Sequence, residues 1–560
     1  MIPSRLKSLF PIFRTLENYS FKLLQSDVLA GMTTAVVLIP QSMAYALLAG
    51  LPAYVGLYAA AVPLLAYALL GTSPALAVGP VATDSLLTAT AVGALAQVDS
   101  ADYLLLAALL AMLAGLVQVG FGVLRLGFVV NALSQPVITG FTAGIALIIG
   151  FNQLKLITGI PLTRTSAIGD ILTEAMARWR DLHPATFALG LGSILTLVVL
   201  KRFKPAFPRA LLVLILGSLA VLALNLGNQG VAILGAIPHG FPTPRVPELQ
   251  LAQVYQLLPS ALTIAIVAFV EAMSVAKSLQ KPEHPELEAN RELVALGTSN
   301  LVAGIFGAYS VTGGFSRSAV NASAGAKSQV AAIVTAAMVA ITLIFFSPFL
   351  AYVPNAALGA IILTATFSLI DRSRLGHYWR VRRSDFWLYC LTFAATLLFG
   401  IQMGIFAGVV MSLLWFIAAT SKPHIAVLGR LPDTKIYRNI NRFPEAIQTP
   451  GQLIVRFDAP LFFANTTFLK NQLNALTRGK KPPITTIILD ASGIGRIDAT
   501  GTDMLMAFTK ELEDRGIALH LACLRGPVRD VLTQAGLFDI LPKDRLVMEL
   551  QCLPVEREDC

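Results

Sequence analysis

Residues 71–80 read Gly-Thr-Ser-Pro-Ala-Leu-Ala-Val-Gly-Pro and interrupt an otherwise apolar part of the chain. Glycine and proline at both ends disfavour a helix, so we predict extended backbone here and a helical run from Val81. A second interruption, Gly313-Gly314, precedes a short helical run from Ser316. Breaks at comparable places in two halves are typical of discontinuous helices in an inverted repeat.

The spacing of polar residues supports this repeat. Gln41 precedes Pro80 by 39 residues, and Glu271 precedes Ser316 by 45. Non-helical backbone at membrane depth is tolerated only where protein or a water-filled cavity satisfies it. Two breaks that face each other would direct two helix N-termini at one point, which suits an anion. The alternative is that both breaks are ordinary turns between short helices.

The composition around the breaks excludes most other classes of protein. Of 560 residues, 55% are hydrophobic and 13% charged, and the mean hydropathy is +0.70. About one quarter of the residues of an average globular protein are charged, and a soluble chain of this length needs more polar surface. The composition therefore indicates a polytopic protein of the lipid bilayer and excludes disordered, fibrous and disulfide-stapled classes. A basic patch with interleaved aromatic residues is missing from the sequence, so no nucleic-acid partner is expected.

The density of charge divides the chain. Residues 1–420 hold 24 Lys and Arg with 16 Asp and Glu, whereas residues 421–560 hold 18 and 16 in one third of that length. The C-terminal quarter therefore has the composition of a soluble domain. The predicted organisation is an N-terminal cytoplasmic segment, a transmembrane domain, a linker and a cytoplasmic soluble domain, at 1–26, 27–420, 421–435 and 436–555.

Fourteen apolar stretches are candidates for crossing the bilayer. Eleven are long, at 28–49, 52–70, 103–124, 126–151, 185–200, 207–226, 256–276, 329–347, 349–370, 385–401 and 403–420. Three are short or interrupted, at 75–98, 293–312 and 314–326.

The basic residues of the short loops set the orientation. Four groups of Lys and Arg residues stand out: one precedes the first span, and the others follow the sixth, eighth and twelfth spans. With fourteen crossings, all four groups fall on the cytoplasmic side. The loop at 152–183 is a mild exception on the outer side. We therefore predict a multi-pass protein of the inner or plasma membrane with both termini in the cytoplasm.

Several motifs, in order along nearly the whole chain, resemble the signatures of the SulP/SLC26 anion transporters. They are Ile39–Ala46 (IPQSMAYA), Ala49–Pro52 (AGLP) with Gly56–Tyr58 (GLY), Gly79–Ala82 (GPVA), Asn290–Leu293 (NREL) with Gly297 and Asn300, and Phe315–Asn321 (FSRSAVN) with Ala324-Gly325. In the soluble part, Asp490–Gly493 (DASG) and Ile497–Gly501 (IDATG) resemble a STAS domain. These motifs are specific for the family and only weakly specific for a substrate.

The resemblance implies a fold as well as a function. The membrane domain would be all-α, with 14 transmembrane segments in a 7+7 inverted repeat of the UraA/SLC26 type, and the C-terminal STAS domain would be α/β. A core domain of helices 1–4 and 8–11 would move against a gate domain of helices 5–7 and 12–14. The anion would lie between the N-termini of half-helices 3 and 10, and the protein would be a homodimer.

The candidate anion-binding residues combine hydrogen-bond donors with one cation. Gln41 and Tyr45 are four residues apart, so they share a helix face, and their donors suit an oxyanion. A charge such as Arg317 at the bilayer centre costs about 2.5–3.5 kcal/mol and needs a partner. The family positions predict substrate contacts at Gln41, Tyr45, Val81, Ala82, Phe315, Ser316 and Arg317.

Structural alternatives remain open for these residues. Gln41 and Tyr45 could serve helix packing, and Ser316 could cap its helix. Arg317 could instead form a salt bridge with Glu271 or Asp84.

Two acids are the candidates for ion coupling. Burial and a nearby anion both favour the neutral form of Glu271, and a neutral carboxyl would let an anion bind where an ionised one would repel it. Plant sulfate symporters resemble this sequence at that position, where a Glu has the proton role. The alternative is a permanent Glu271–Arg317 pair. Asp84 departs from the family pattern; it is either a carboxylate at a helix N-terminus, a protonated acid or a ligand of a cation.

The soluble part alternates strands and a helix, which predicts an α/β domain. Strands are expected at 453–457, 485–489 and 518–522, and a helix at 502–513. Thr500 matches the position that is phosphorylated in soluble STAS regulators, and its alternative role is helix capping. The resemblance thus allows a cytoplasmic regulatory partner that acts through the STAS domain. The patterns predict no cofactor, no metal site and no structural disulfide.

These observations predict a secondary active anion transporter and not an enzyme. Sulfate uptake by proton symport with elevator-type alternating access is favoured. Bicarbonate or dicarboxylate transport and anion exchange are alternatives, as are an anion channel and a STAS-based membrane regulator. Glu271 disfavours a pure channel, and the intact set of Gln41, Ser316 and Arg317 disfavours a regulator.

Overall fold

The chain forms two compact units, which the computed structural model divides between Ser412 and Leu413. The described residues are 10–13, 19–98, 100–128, 134–162, 168–203, 207–235, 240–245, 250–280, 287–367, 370–479 and 481–553. Several of the basic residues that set the predicted orientation, including Arg5, Arg14, Lys204 and Lys281, lie outside these ranges.

The first unit is built from helices, with only two short strands among its described residues. Ser20 and Ser100 cap the first and fourth helices, because each hydroxyl accepts a hydrogen bond from the backbone N–H three residues on. The elements are α1 (Phe21–Leu48), α2 (Ala53–Leu70), β1 (Val78–Gly79), α3 (Ala82–Gly93), α4 (Ala101–Val123), α5 (Gln135–Asn152), α6 (Leu154–Thr158), α7 (Ile168–Ala177), α8 (Pro184–Phe203), α9 (Arg209–Ala223), α10 (Leu251–Ser278), α11 (Ala289–Ile305), β2 (Thr312–Gly313), α12 (Phe315–Ser323), α13 (Val330–Ile341), α14 (Ser347–Leu350), α15 (Asn355–Phe367), α16 (Arg372–Val381) and α17 (Arg383–Ser421), the last of which ends in the second unit.

Seven helical segments of the described chain are long and apolar enough to cross a membrane, and three shorter apolar helices accompany them. Large apolar side chains such as Phe345, Phe349 and Leu398 are more than 65% exposed, which a water-soluble surface tolerates poorly. The predicted boundary between spans 385–401 and 403–420 falls at a real break, since Gly400 has φ 80° and ψ 179° inside α17. The predicted boundary at 347–349 is wrong: a π-helical turn at Thr342–Phe346 joins α13 to α14, so the helical segment continues to Leu350.

The two predicted interruptions are extended segments, so the alternative of ordinary turns is wrong. Residues 71–81 contain no helix, and α3 begins at Ala82 with Val81 as its N-cap. Residues 308–314 are likewise extended before α12, which begins at Phe315. β1 and β2 pair antiparallel, with Val78 opposite Gly313 and Gly79 opposite Thr312, so the two broken segments cross each other.

Glycines bring α4 and α11 together. A Cβ atom at Gly115 would lie 2.6 Å from the carbonyl oxygen of Gly297, and one at Gly297 would lie 2.7 Å from that of Gly115. The two backbones are therefore in direct contact, an approach that only small residues allow between membrane helices.

The second unit is an α/β domain around one mixed sheet, as predicted. The elements are β3 (Ile425–Arg430), β4 (Tyr437–Asn439), β5 (Gln452–Phe457), α18 (Thr466–Thr477), β6 (Thr486–Asp490), α19 (Ala499–Asp514), β7 (Ala518–Ala522), α20 (Gly526–Gln534), α21 (Leu537–Ile540) and β8 (Leu546–Val547). The strands are ordered β4-β3-β5-β6-β7-β8 in the sheet. β3 is antiparallel to β4 and β5, and the pairs from β5 to β8 are parallel.

The predicted linker at 421–435 is wrong, because it contains β3. This strand pairs on both sides within the sheet, and its Ala426 and Leu428 are buried. The soluble unit therefore follows the end of α17 almost directly.

Candidate functional site

One side chain, Arg317, forms hydrogen bonds to both broken segments at their crossing. Its guanidinium is 1% exposed and donates four hydrogen bonds to backbone carbonyls. Nε donates to Ala77 at 2.7 Å, Nη1 to Pro80 at 2.5 Å, and Nη2 to both Gly79 and Thr312 at 2.7 Å. Since a guanidinium has five N–H groups, four are used within the protein.

The salt bridge considered for Arg317 is not what the structure shows. Its hydrogen-bond partners are carbonyl oxygens of the crossing, whereas Glu271 and Asp84 influence it through space. Gly314 makes room for the guanidinium, because a Cβ atom there would lie 2.5 Å from Arg317 Cζ. Arg317 therefore places a positive charge at the crossing and also fixes the backbone there.

Phe315 and Ser316 lie exposed at the start of α12, directly before the buried Arg317. The N-cap of α12 is Gly314 and has no side-chain hydrogen bond, so the capping role considered for Ser316 is not found. On the other half-helix, Val81 and Ala82 at the start of α3 are buried. The backbone at the start of both half-helices is thus close to the crossing.

Gln41 and Tyr45 lie on α1, which packs against both α3 and α12. Gln41 is 7% exposed and Tyr45 is half-buried, and the hydroxyl of Tyr45 is an electrostatic neighbour of both Arg317 and Glu271. The described residues form no hydrogen bond with the side chain of Gln41 or Tyr45. The amide of Gln41 and the hydroxyl of Tyr45 are therefore available as donors.

The two acids lie close to this group but in different surroundings. Glu271 on α10 is half-buried, with Thr83 within hydrogen-bonding reach and Arg317 nearby. Asp84 is fully buried in the first turn of α3; its Oδ2 accepts a hydrogen bond from Ser310 at 3.2 Å, and its Oδ1 has no partner. A buried carboxylate oxygen without a donor is costly, and protonation lowers that cost by removing the charge.

Sequence reasoning missed the residues that position the first broken segment. Glu292 is fully buried, and its Oε1 accepts hydrogen bonds from Thr72 N and Oγ1, both at 2.6 Å, and from Ser73 N at 3.2 Å. The hydroxyl of Tyr67 donates to Oε2 at 2.9 Å. A signal was present, because Glu292 is an acid within the NREL motif at the start of an apolar span.

Two residues of α12 continue this support. The hydroxyl of Ser318 accepts a hydrogen bond from Ala77 N at 2.9 Å, and the amide of Asn321 donates to the carbonyls of Pro74 and Ala75, both at 3.2 Å. Hydrogen bonds to α11 and α12 are therefore spread along the stretch from residue 72 to residue 80.

The second broken segment is held by residues both near it and far from it in sequence. Both polar atoms of the Asn300 side chain bracket Val311: Nδ2 donates to its carbonyl at 3.0 Å, and Oδ1 accepts from its N–H at 2.7 Å. The hydroxyl of Thr312 donates to Ala268 O at 2.6 Å.

In the second unit, Thr500 is exposed in the first turn of α19. The cap of this helix is Asp498, whose carboxylate accepts from Gly501 N at 2.7 Å, so the capping role considered for Thr500 is wrong. Cys390, Cys523 and Cys552 are free thiols. Within the described ranges no three His, Cys, Asp or Glu side chains group as metal ligands.

Residues 24–392 match the sulfate permease family, and residues 443–550 match the STAS domain. This chain belongs to the sulfate permease family. It is 36% identical over 555 residues to sulfate transporter 4.1, chloroplastic, of Arabidopsis thaliana, covering 96% of this chain and 81% of that one. It is 35% identical over 533 residues to a probable sulfate transporter of Mycobacterium tuberculosis, with 95% of each chain covered.

A solved structure shares the fold of this sulfate permease family member. The murine solute carrier 26 family member A9 anion transporter, in its inward-facing state, superposes with a TM-score of 0.89 at 27% identity, covering 98% of this chain and 94% of the other. The chain is therefore a multi-pass membrane transporter of the SulP/SLC26 type, not an enzyme, with a C-terminal STAS domain.

Proposed function

We propose that this transporter takes up sulfate together with protons. The observation that carries the proposal is the crossing of β1 and β2, which brings the N-termini of α3 and α12 together around one buried arginine. Helix N-termini and a fixed positive charge favour an anion at this point. The names of the relatives, sulfate transporters of a plant and of a bacterium, support sulfate as that anion.

The anion would lie in front of the two N-termini, where Ser316 is exposed. Ser316, Gln41 and Tyr45 would donate hydrogen bonds to its oxygens, and Val81, Ala82 and Phe315 would form the wall and supply backbone N–H groups. Arg317 would act through its charge and through its one remaining N–H.

Glu271 would couple the anion to a proton. An ionised Glu271 and a sulfate would both depend on Arg317 in a medium of low dielectric constant, and protonation of Glu271 removes the conflict. Asp84, fully buried with one oxygen unpartnered, would hold a second proton or a cation close to the same charge.

The remaining features of the proposal rest on family membership and, for the position of the termini, on the basic residues of the loops. They are a 7+7 repeat of fourteen segments, an elevator movement of core against gate, a homodimer, cytoplasmic termini in the cell membrane, and a STAS domain that binds a regulatory partner and carries a phosphorylation site at Thr500. Truncation before the STAS domain would lower transport or assembly without changing the choice of substrate.

The deciding experiment is uptake of labelled sulfate into proteoliposomes, with and without an inward proton gradient. We expect saturable uptake that is faster when the outside is acidic and that concentrates sulfate inside. Labelled bicarbonate and succinate are measured in parallel. Preferential uptake of bicarbonate or succinate would show that this anion, and not sulfate, is the substrate. Uptake that does not saturate and does not concentrate sulfate would indicate a channel.

The coupling role of Glu271 is tested with Glu271→Gln, which mimics the protonated acid. It should retain sulfate binding and exchange and lose acceleration by the proton gradient. Asp102→Asn, an exposed acid at the start of α4, is the matched control and should behave as wild type. An undiminished pH dependence in Glu271→Gln would move the coupling site elsewhere, with Asp84 the next residue to test.

A further inference from the structure

A second concentration of positive charge lies in the STAS unit, far in sequence from the transport residues. Three arginines, a histidine, a phenylalanine and one acid line an open cavity of about 480 Å³, a volume within the range of small-ligand sites. The lining residues used below are His424, Arg438, Arg442, Phe443, Arg456 and Asp458.

The sheet brings these residues together. β3 pairs with β5 so that Ala426 lies opposite Arg456, and the N–H of Asp458 donates to the carbonyl of His424 at 3.1 Å. On its other edge β3 pairs with β4, where Gly429 lies opposite Arg438. Arg442 and Phe443 follow in the turn after β4, so the cavity is built on one end of the sheet.

The single acid of the cavity is already neutralised. Asp458 accepts hydrogen bonds from Arg456 Nε at 2.6 Å and from His424 Nδ1 at 2.8 Å. Partial burial raises the pKa of the Asp458 carboxyl, but the bonds from Arg456 and His424 outweigh it and hold the pKa below its usual value. Asp458 is therefore ionised and engaged near neutral pH.

Arg438 and Arg442 have no such partner. Both are exposed, and neither forms an ion pair with an acid of the described residues. Two guanidinium groups thus face the cavity uncompensated, beside the 38% exposed ring of Phe443. Arginine pairs with phosphate in a bidentate manner, and clusters of this kind select phosphate-bearing anions.

The cavity also lies close to the end of a membrane helix. α17 ends at Ser421, and His424 is only three residues further, at most about 11 Å along an extended chain. The amide of Asn465 donates to Thr420 O at 3.3 Å and fixes the end of this helix to the STAS fold. Basic clusters immediately next to a membrane helix attract the headgroups of anionic lipids.

We propose that this cavity binds a phosphate group, carried by an anionic lipid headgroup or by free phosphate, through Arg438, Arg442 and Arg456. Arg456 is held in place by Asp458, and the other two arginines close on the phosphate. The site is separate from the transport site, so it does not depend on sulfate being the substrate.

The test measures binding to the purified full-length protein in detergent by microscale thermophoresis. Three ligands are titrated: dihexanoylphosphatidic acid, inorganic phosphate and dihexanoylphosphatidylcholine. We expect the first two to bind and the zwitterionic lipid not to bind, with affinities that fall as salt rises. Tighter binding of phosphatidic acid by at least about tenfold assigns the lipid as the source, and equal affinities assign free phosphate.

The double variant Arg438→Gln/Arg442→Gln should weaken binding of both phosphate ligands at least about tenfold. Both side chains are exposed, so the fold should be unaffected, which circular dichroism checks. The matched control is Arg478→Gln/Arg496→Gln, which removes two exposed arginines of the same unit outside the cavity. The proposal is overturned if neither phosphate ligand binds wild type, or if the control pair loses as much affinity as the cavity pair.

Discussion

The two broken segments of the membrane unit are both extended but are held in different ways. The first, residues 71–80, is attached by Glu292, Arg317, Ser318 and Asn321, all more than 200 residues later in the chain. The second, residues 308–314, is bracketed locally by Asn300, eleven residues before Val311. It also bonds to the first half, through Ser310 to Asp84 and through Tyr309 to Ser85. The first segment is therefore held by side chains of the later half, whereas the second is held by residues of both halves.

This difference shows that two extended segments that pair with each other need not be held by equivalent hydrogen bonds. A polar backbone segment inside a membrane protein needs a donor or acceptor at every group, but either half can supply it. A change to the side chains that hold one segment should therefore open that segment first. Ala75 and Ala308 lie in the two segments, and each is 1% exposed. A single cysteine introduced at either position into a cysteine-free protein reports, by its labelling with a thiol reagent, how far that segment opens.

The largest expected effect comes from Arg317→Leu. This change leaves four buried carbonyls without their donor, and each such group costs about 1–3 kcal/mol. We expect the free energy of unfolding in detergent to fall by at least about 3 kcal/mol, and labelling to rise at both cysteines. Stability equal to wild type with loss of sulfate binding alone would show that Arg317 serves the anion and not the crossing.

Glu292→Gln should separate the two segments. The glutamine amide places an NH₂ group against the donors of Thr72 or Tyr67 and removes the negative charge. We therefore expect the free energy of unfolding to fall by about 1.5–3 kcal/mol. Cysteine labelling should increase at position 75 and stay low at position 308. The matched control is Glu288→Gln, an exposed acid at the start of the same helix, which should change stability by less than about 0.5 kcal/mol. Equal labelling of both cysteines would contradict the asymmetry.

Asn300→Ala should have the opposite pattern at a smaller cost. It removes both hydrogen bonds to Val311, for a loss of about 1–3 kcal/mol, and labelling should increase at position 308 first. Asn228→Ala, at an exposed position, is the control for the substitution itself. Greater labelling at position 75 would show that the second segment supports the first.

Ser318→Ala should have the smallest effect. It removes the acceptor for Ala77 N and should cost about 1 kcal/mol, measured as a small decrease in the thermal midpoint. Ser323→Ala, on the same helix but exposed, should leave the midpoint unchanged. If the two variants are indistinguishable, water replaces Ser318 at the crossing.

The sequence predicts the parts of this fold that depend on local composition. Gly71, Pro74 and Pro80 are enough to predict an extended segment, and the alternation of Ala518–Ala522 predicts β7 at its observed bounds. β3 lies in the predicted linker between the apolar spans and the soluble domain, and the three-residue β4 is too short to show a pattern. Local composition cannot show which distant strand a segment will pair with.

The sequence proposes the members of the candidate site but does not predict their hydrogen bonds. A charge in an apolar segment identified Arg317, and an acid in mid-span identified Glu271. The sequence does not reveal that four of the five N–H groups of Arg317 are already used, because their acceptors are up to 240 residues away. For the same reason the support from Glu292 became visible only in three dimensions.

The dependence of the first segment on later residues has a consequence for biosynthesis. Pro80 and the Arg317 that holds it are 237 residues apart, so at about 5–20 residues per second the ribosome needs about 10–50 seconds between them. Throughout that interval the carbonyls of residues 77–80 have no native donor from Arg317. The nascent first half must therefore wait in the insertion machinery, or in water at the membrane surface, until α12 emerges and the two halves close around one side chain.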